Sequence, residues 1–415
     1  MTTSRERVMG AVNHRVPDRV PVDFGGHRSS GIMAIAYNKL KQHLGIASGD
    51  IYVYDFVQQL AIVEPPVLGR FNVDVVEMGR GFALNPDDWR AWVLPDGTPC
   101  KIPAFIQPLK VGDDWQILDP DGTLIAIQKE DSLYFEQTCF PWLDDGGGDF
   151  SDLAAAMDKV MWATLGAPPA PIGFDDAGLQ QLAEGAKRFR AYSDRAIIGL
   201  FGGNLMEWGQ FLFRMDNFLM RLAMEPARMH RFLDKLTEMH LANLEKFLSA
   251  VGPYIDIIMF GDDLGMQRGP QISPKMYHEM FYPRHRAMWM RAKELADVKV
   301  MLHSCGSIAP FIPDFIEAGL DILQPIQTSA RSMEAVTLKQ EYGRDLCLWG
   351  GGCDTQHVLP RGTPDDVVAE VSRQVTALAP GGGFVFQQVH NIMADVSPQN
   401  VVAMLDAVNA GQVQY

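Results

Sequence analysis

YIDIIMFGDDLG at 254–265, with SPKMYHEMFYPRHRAMWMRAKELA at 273–296 and VKVMLH at 298–303, is the stretch that decides the fold. Residues 254–260 form an apolar run of strand length without polar alternation, and GDDLG reads as a loop. Segment 273–296 has helical period, with Ser273 as cap and Pro274 at the first helical position, where no N–H is needed. VKVMLH is the next buried strand. The unit then repeats to the C-terminus. Strands are expected at DILQPI (321–326), DLCLWGG (345–351) and GFVFQQV (383–389). Helices are expected over SIAPFIPDFIEAG, SMEAVTLKQEYG, TPDDVVAEVSRQVTALAPGGG and SPQNVVAMLDAVNAG, stopped by glycine or opened by Ser-Pro or Thr-Pro.

Repeated strand–helix units with non-alternating strands imply a parallel sheet covered by helices. Right-handed crossovers leave a closed barrel or an open doubly wound sheet. The earlier strands PVDFG (21–25) and AIIGLFGG (196–203) lack the GxGxxG turn of the open dinucleotide-binding form. The expected class is therefore α/β, a (β/α)8 TIM-type barrel, with residues 1–415 as a single barrel domain. Segment 86–150 departs from the pattern: VLPDGTP and LDPDGTLIAI are hairpin signals, so it reads as a β-rich antiparallel insertion with DDGGGD (144–149) as its exit.

A β/α barrel carries its chemistry at the C-terminal ends of the strands. Here those ends collect Asp262 and Asp263, then His303, Ser304 and Cys305, then Gln324 and Gln327, then Cys353 and Asp354, then His390 and Asn391. The strand at 196–201 leads to Asn204 and Glu207. His303 and Cys305, two positions apart, point the same way and can reach one ion. Zinc favours such mixed nitrogen and sulfur donors, with His390 or Cys353 as the third ligand. Asp262 and Asp263 read as general base, metal ligand or turn cap, and Glu207 as a first-turn acid or a catalytic one. His27 and Arg28 follow PVDFG, and Arg28 could hold a substrate carboxylate. Cys100, Cys139 and Cys347 read as structural. The Met-rich stretch MRLAMEPARMH reads as a packed helix face.

The 415 residues are 47% hydrophobic and 21% charged, ordinary for a globular chain with a large core. A net charge of -15 argues against nucleic acid as a partner. No window approaches the ~18 consecutive apolar residues of a membrane span. MTTSRERVMG has no apolar export core, so the cytoplasm is the expected location. Five cysteines, an odd number, suggest free thiols or metal ligands.

The runs YIDIIMFGDDLGMQRGPQISPKMYHEMFYPRH, VMLHSCGSIAPFIPDFIEAGLDILQPIQ, WGGGCDTQHVLPRGTPDDV and GGGFVFQQVHNIMADVSPQNVVAMLDAV resemble the uroporphyrinogen decarboxylase-like superfamily. The chain looks closer to its corrinoid-dependent methyltransferases than to the decarboxylase. Where the decarboxylase has an arginine-rich motif, PVDFGGHRSSGI has one arginine. The resemblance implies a zinc site in which His303 and Cys305 match an HxC pair. His390 stands nearest the place of that family's later cysteine, and Cys353 lies one strand earlier. It also implies a zinc-dependent methyltransferase moving a methyl group between a small O-, N- or S-methylated substrate and cobalamin or another corrinoid, free or on a corrinoid protein.

In that reading Asp262, Asp263 and Glu207 are catalytic, and His27, Arg28, Asn204, Gln324 and Gln327 bind substrate. The partners are the substrate, the corrinoid protein and, should the chain self-associate, a second copy in a homodimer. The rival readings are a metal-independent decarboxylase or lyase acting on a carboxylated substrate, and a non-catalytic binding subunit of a corrinoid system.

Overall fold

The computed structural model describes residues 2–47, 49–144, 146–165 and 172–410. Its centre is a seven-stranded parallel sheet whose spatial order follows the chain. The strands are β1 (Val75–Glu77), β2 (Ala196–Gly202), β3 (Ile257–Gly261), β4 (Lys299–His303), β5 (Ile322–Gln324), β6 (Cys347–Trp349) and β7 (Phe384–Val385).

The segment around Val22 joins the two edges. Asp23 N donates to Phe386 O at 2.8 Å and Phe386 N to Pro21 O at 2.9 Å. On the other side Asp74 N donates to Val22 O at 2.8 Å. PVDFG is therefore an eighth stave, held by a single parallel bridge to Phe386. Buried Asp74 secures that seam, accepting from Val22 N, Arg7 and Arg19.

Side chains alternate across each strand, and the structure sorts them into two cores. Val75, Ala196, Ile198, Ile257, Met259, Met301, Ile322, Cys347, Trp349 and Val385 fill the barrel interior. Val8, Ala11 and Val12 join them from the helix Ser4–Val12, which opens on a Thr3–Glu6 capping box. The intervening residues, among them Ile258, Val300, Leu302, Leu323 and Leu348, face the outer helices. Both faces are apolar because both are covered, which is why these strands show no polar alternation.

Several boundaries differ from the sequence reading. The helix expected over 273–296 is two, Pro274–Met280 and Tyr282–Leu295. Pro283 breaks it, since its nitrogen cannot donate and its ring crowds the preceding turn. The strand expected at 321–326 ends at Gln324, before Pro325, and the one at 383–389 is reduced to Phe384–Val385. β1 had no counterpart in the sequence reading, because three residues are too few for a periodic signal.

Between β1 and β2 lie most of the antiparallel elements; two short pairs, Val53–Asp55 with Leu60–Ala61 and Gly265–Met266 with Gly269–Pro270, lie outside that interval. Trp89–Val93 pairs with Pro99–Pro103, and Leu109–Val111, Asp114–Leu118, Leu124–Gln128 and Glu136–Gln137 form a four-stranded sheet. Both Asp-Gly turns work as read, with Gly97 and Gly122 at φ 84°, a left-handed conformation that glycine adopts without strain. DDGGGD lies in turns, apart from Asp145, which is outside the described residues.

The Met-rich stretch only partly packs. Met229 is buried, whereas Met220 and Met224 are 50% and 75% exposed. Among the described residues no helix is long and apolar enough to cross a membrane.

Candidate functional site

The parity that turns Met259, Met301 and Ile322 inward also turns in the next residue of each set, at the open end of the barrel. Gly261 pairs with His303 and His303 with Gln324, so these three form one layer. His303 Nδ1 donates to Gln324 Oε1 at 2.6 Å. Gln324 Nε2 donates to Gln387 Oε1 at 3.1 Å, and Gln387 Nε2 to Ser29 O at 3.0 Å. A backbone carbonyl can only accept, so each amide in turn is oriented, and the proton on His303 sits on Nδ1. Nε2 is left with its lone pair, 3.5 Å from Cys305 Sγ.

His390, from the loop after β7, completes the group. One ligand atom from each of His303, Cys305 and His390 lies within 4.8 Å of the others. The His303 and His390 rings are 5.8 Å apart between centroids. Donors around one tetrahedral zinc stand about 3.5 Å apart, so a small closure would bring all three onto one ion. Burial keeps both imidazoles in the neutral, ligand form, pushing His390 down to about 4. Burial, with Asp263 beside it, pushes the Cys305 thiol well up, so taking a metal here requires that thiol to release its proton. Two imidazoles, one thiolate and an open side make a donor set that fits zinc.

Cys353, the other candidate for third ligand, is not in this group. Its side chain is wholly buried in the outer core, and its carbonyl accepts from Val389 N at 2.9 Å. The three preceding glycines carry it past the strand end and back under the loop of His390.

The acidic residues divide by burial. Asp262 is fully buried. Its carboxylate accepts from Met206 N and Glu207 N, capping the helix α1 (Met206–Phe213), and meets His285 Nε2 at 3.1 Å. His285 Nδ1 in turn lies 3.0 Å from Tyr277 Oη. Asp262 is thus an anchor for the first turn of α1, not for its own turn. Asp263 is half-exposed; it accepts from Cys305 N at 2.7 Å and stands 3.6 Å from His303 Nε2.

Glu207 accepts from Asn204 Nδ2 and, at 3.3 Å, from Asp263 N. Burial, then the charges of Asp263 and Asp262, push its carboxyl up to about 8. Asn204 is held from behind by buried His240, whose Nε2 donates to Asn204 O at 3.1 Å. Gly261 lies so close that a Cβ there would sit 2.7 Å from Asn204 Nδ2.

The remaining expected substrate ligands are mostly spoken for. His27 is 1% exposed, accepts from Ser29 N and lies 3.1 Å from Asp23 Oδ2, so it has no surface for a substrate. Gln324 serves His303. Gln327 accepts from Gly306 N and donates to Gln267, steadying the loop after Cys305. Arg28 keeps some exposure, 3.6 Å from Asp55 and 5.9 Å over the Trp162 ring. Trp162, Phe211 and Trp208 continue from it as a half-buried aromatic arc.

The sequence reading missed Gln387, His285, Tyr277 and this arc. Only Gln387 carried a signal, a polar residue at an inward position of an otherwise apolar run.

The uroporphyrinogen decarboxylase (URO-D) family profile matches residues 169–411, more than half of the chain. Among curated proteins none matches. A solved methyltransferase from Methanosarcina mazei superposes with a TM-score of 0.58 over 99% of this chain and 99% of that one, at 15% identity, a likeness of fold. A D-psicose 3-epimerase solved in the presence of D-fructose aligns over 57% of this chain and 82% of that one, at 12% identity with a TM-score of 0.29, too loose a likeness to bear on the architecture. The family profile thus spans the strand ends that carry His303, Cys305 and His390, and the chain belongs to the uroporphyrinogen decarboxylase family.

Proposed function

We propose that this chain is a methyltransferase that moves a methyl group between a small O-, N- or S-methylated substrate and a corrinoid, either free cobalamin or one carried by a partner protein. The observation that carries this reading is the meeting of His303, Cys305 and His390 at the open end of the barrel. These three would hold zinc, which when bound supplies a Lewis acid for the heteroatom next to the methyl group. The corrinoid would supply the methyl carrier.

The chain's own residues do the rest. Gln324 keeps the His303 lone pair aimed at the site. Asp263 holds the Cys305 backbone through its N–H. Glu207, protonated near pH 7, can give a proton to a heteroatom losing its methyl group, or take one back in reverse. Asp262 acts through position, fixing the turn that carries Glu207. Arg28 and the Trp162–Phe211–Trp208 arc would orient a flat or anionic substrate, and that arc also limits water. We place this reaction in the cytoplasm.

The test mixes the zinc-loaded protein with Co(I) cobalamin and a panel of methylated aromatics, amines and thioethers. Loss of the Co(I) absorption band with one class, and its retention in His303→Ala, is the expected result. Carbon dioxide release from a carboxylated substrate, with cobalt unchanged, would establish a decarboxylase instead.

A further inference from the structure

A second cavity of about 510 Å³ opens on the outer side of β1. It lies between the N-terminal segment, the helix Asp176–Tyr192 and the turn that enters the hairpin region. None of His303, Cys305, His390, Glu207, Asp263 or Arg28 lines it. It is therefore distinct from the barrel mouth.

Its size is that of a small-molecule site, and its walls are unusually aromatic. Tyr54, Phe82, Trp89 and Phe189 face it. Trp89 is fixed in place: its indole N–H donates to Ala83 O at 2.8 Å, and Tyr52 meets its ring edge-on at 4.8 Å. A wall held so firmly favours a flat ring, because little side-chain freedom remains to be lost on binding.

The charges decide the other half of the ligand. Arg80, Arg195 and Glu77 line the cavity, two cations to one acid, in a chain of net charge -15. Burial pushes the Glu77 carboxyl up, which weakens the acid's share further. Arg80 spends its two terminal nitrogens on Val63 O and Gly25 O. Arg195 is tied only through Nε, to Val73 O at 2.8 Å, and its two terminal nitrogens have no acceptor among the described residues. A guanidinium so presented matches a carboxylate with two parallel hydrogen bonds.

We propose that this cavity is a second ligand site, for an aryl carboxylate, with the ring between Trp89 and its aromatic neighbours and the carboxylate on Arg195. The site stands whether or not the mouth performs methyl transfer.

Calorimetric titration of the full chain with benzoate tests it, with benzamide and cyclohexanecarboxylate as comparators. Benzoate is expected to show one binding event per chain that Leu84→Trp removes, separate from any at the barrel mouth. Benzamide, which keeps the ring and loses the charge, should bind at least tenfold more weakly, as should cyclohexanecarboxylate, which keeps the charge and loses the flat ring. Arg195→Gln should weaken benzoate roughly tenfold, about 1.4 kcal/mol. Leu84→Trp, at the rim where Leu84 is 59% exposed, should block binding without touching the core, so the proposal stays testable if Arg195→Gln does not fold. Arg28→Gln, at the barrel mouth, should leave the benzoate event that Leu84→Trp removes in place. Benzamide binding as well as benzoate, full affinity in Leu84→Trp, or loss in Arg28→Gln would each overturn the assignment, the last by moving the ligand to the barrel mouth.

Discussion

His303 Nδ1 donates to Gln324 Oε1 at 2.6 Å, and this contact between neighbouring strand ends decides which imidazole nitrogen faces Cys305. The proton's place is set from a distance, by Ser29 O through Gln387 and Gln324. Ligands of this kind depend on their supporting hydrogen bonds nearly as much as on their own donor atoms.

Gln324→Ala should therefore weaken zinc binding by about 10- to 100-fold, read by competition with a chromogenic chelator. Gln324→Glu, which keeps an acceptor in place, should restore most of the loss. Equal affinity in Gln324→Ala and the parent would mean that the amide chain has no part in holding metal.

Elemental analysis should find about one zinc per chain, because one group of three donors accommodates one ion. Cys305→Ala and His390→Ala should lose it. Cys353→Ala should keep it and lose about 1 kcal/mol of stability as a small core truncation. X-ray absorption should show one sulfur beside zinc; a second that vanishes in Cys353→Ala would put that residue back in the metal site.

Glu207 gives the chain a pH dependence of definite sign. Its carboxyl titrates near 8 in the fold, above its ordinary value of 4.5. The folded state thus holds a proton that the unfolded state releases, and stability falls as pH rises between those values. Glu207→Gln removes the titration. Chemical denaturation at pH 5 and pH 8 should show a drop in the parent that is smaller in the variant, each displaced pKa unit being worth about 1.4 kcal/mol. Parallel drops would mean that Glu207 is ionised throughout.

At the opposite end, Asp74 holds the closing seam of the barrel with Arg7, Arg19 and Val22 N around its buried carboxylate. Asp74→Ala leaves the buried Arg7 without this partner and should cost about 3–5 kcal/mol in urea denaturation. Asp74→Asn, which keeps an acceptor for Val22 N, should cost less. A change under 1 kcal/mol in Asp74→Ala would show that the seam does not need this charge.

Much of this was legible in the order of residues alone. Apolar strand runs, proline-opened helices and glycine stops are local signals, and from residue 254 onward they are dense enough to count strands and to list the polar residues that follow them, though not to fix where each strand ends. A residue at a strand end has its direction set by the two-residue period of the strand, so His303 and Cys305 could be paired from their spacing. The hairpins at Gly97 and Gly122 were equally local.

What lies between distant segments was not legible, because it depends on register and on the path of loops. Sequence order named both His390 and Cys353 as third ligand and favoured His390 only because three glycines precede Cys353. Only the tertiary structure turned one toward His303 and folded the other under the loop. Asp262 and Asp263 are adjacent and chemically alike, yet successive residues face opposite ways, and packing gave one to the cap of α1 and the other to Cys305. The closing stave at Val22, the three-residue β1 and the Ser29–Gln387–Gln324 chain are short or long-range features. Barrel closure alone brings residue 29 to residue 387, and through it sets the proton on residue 303.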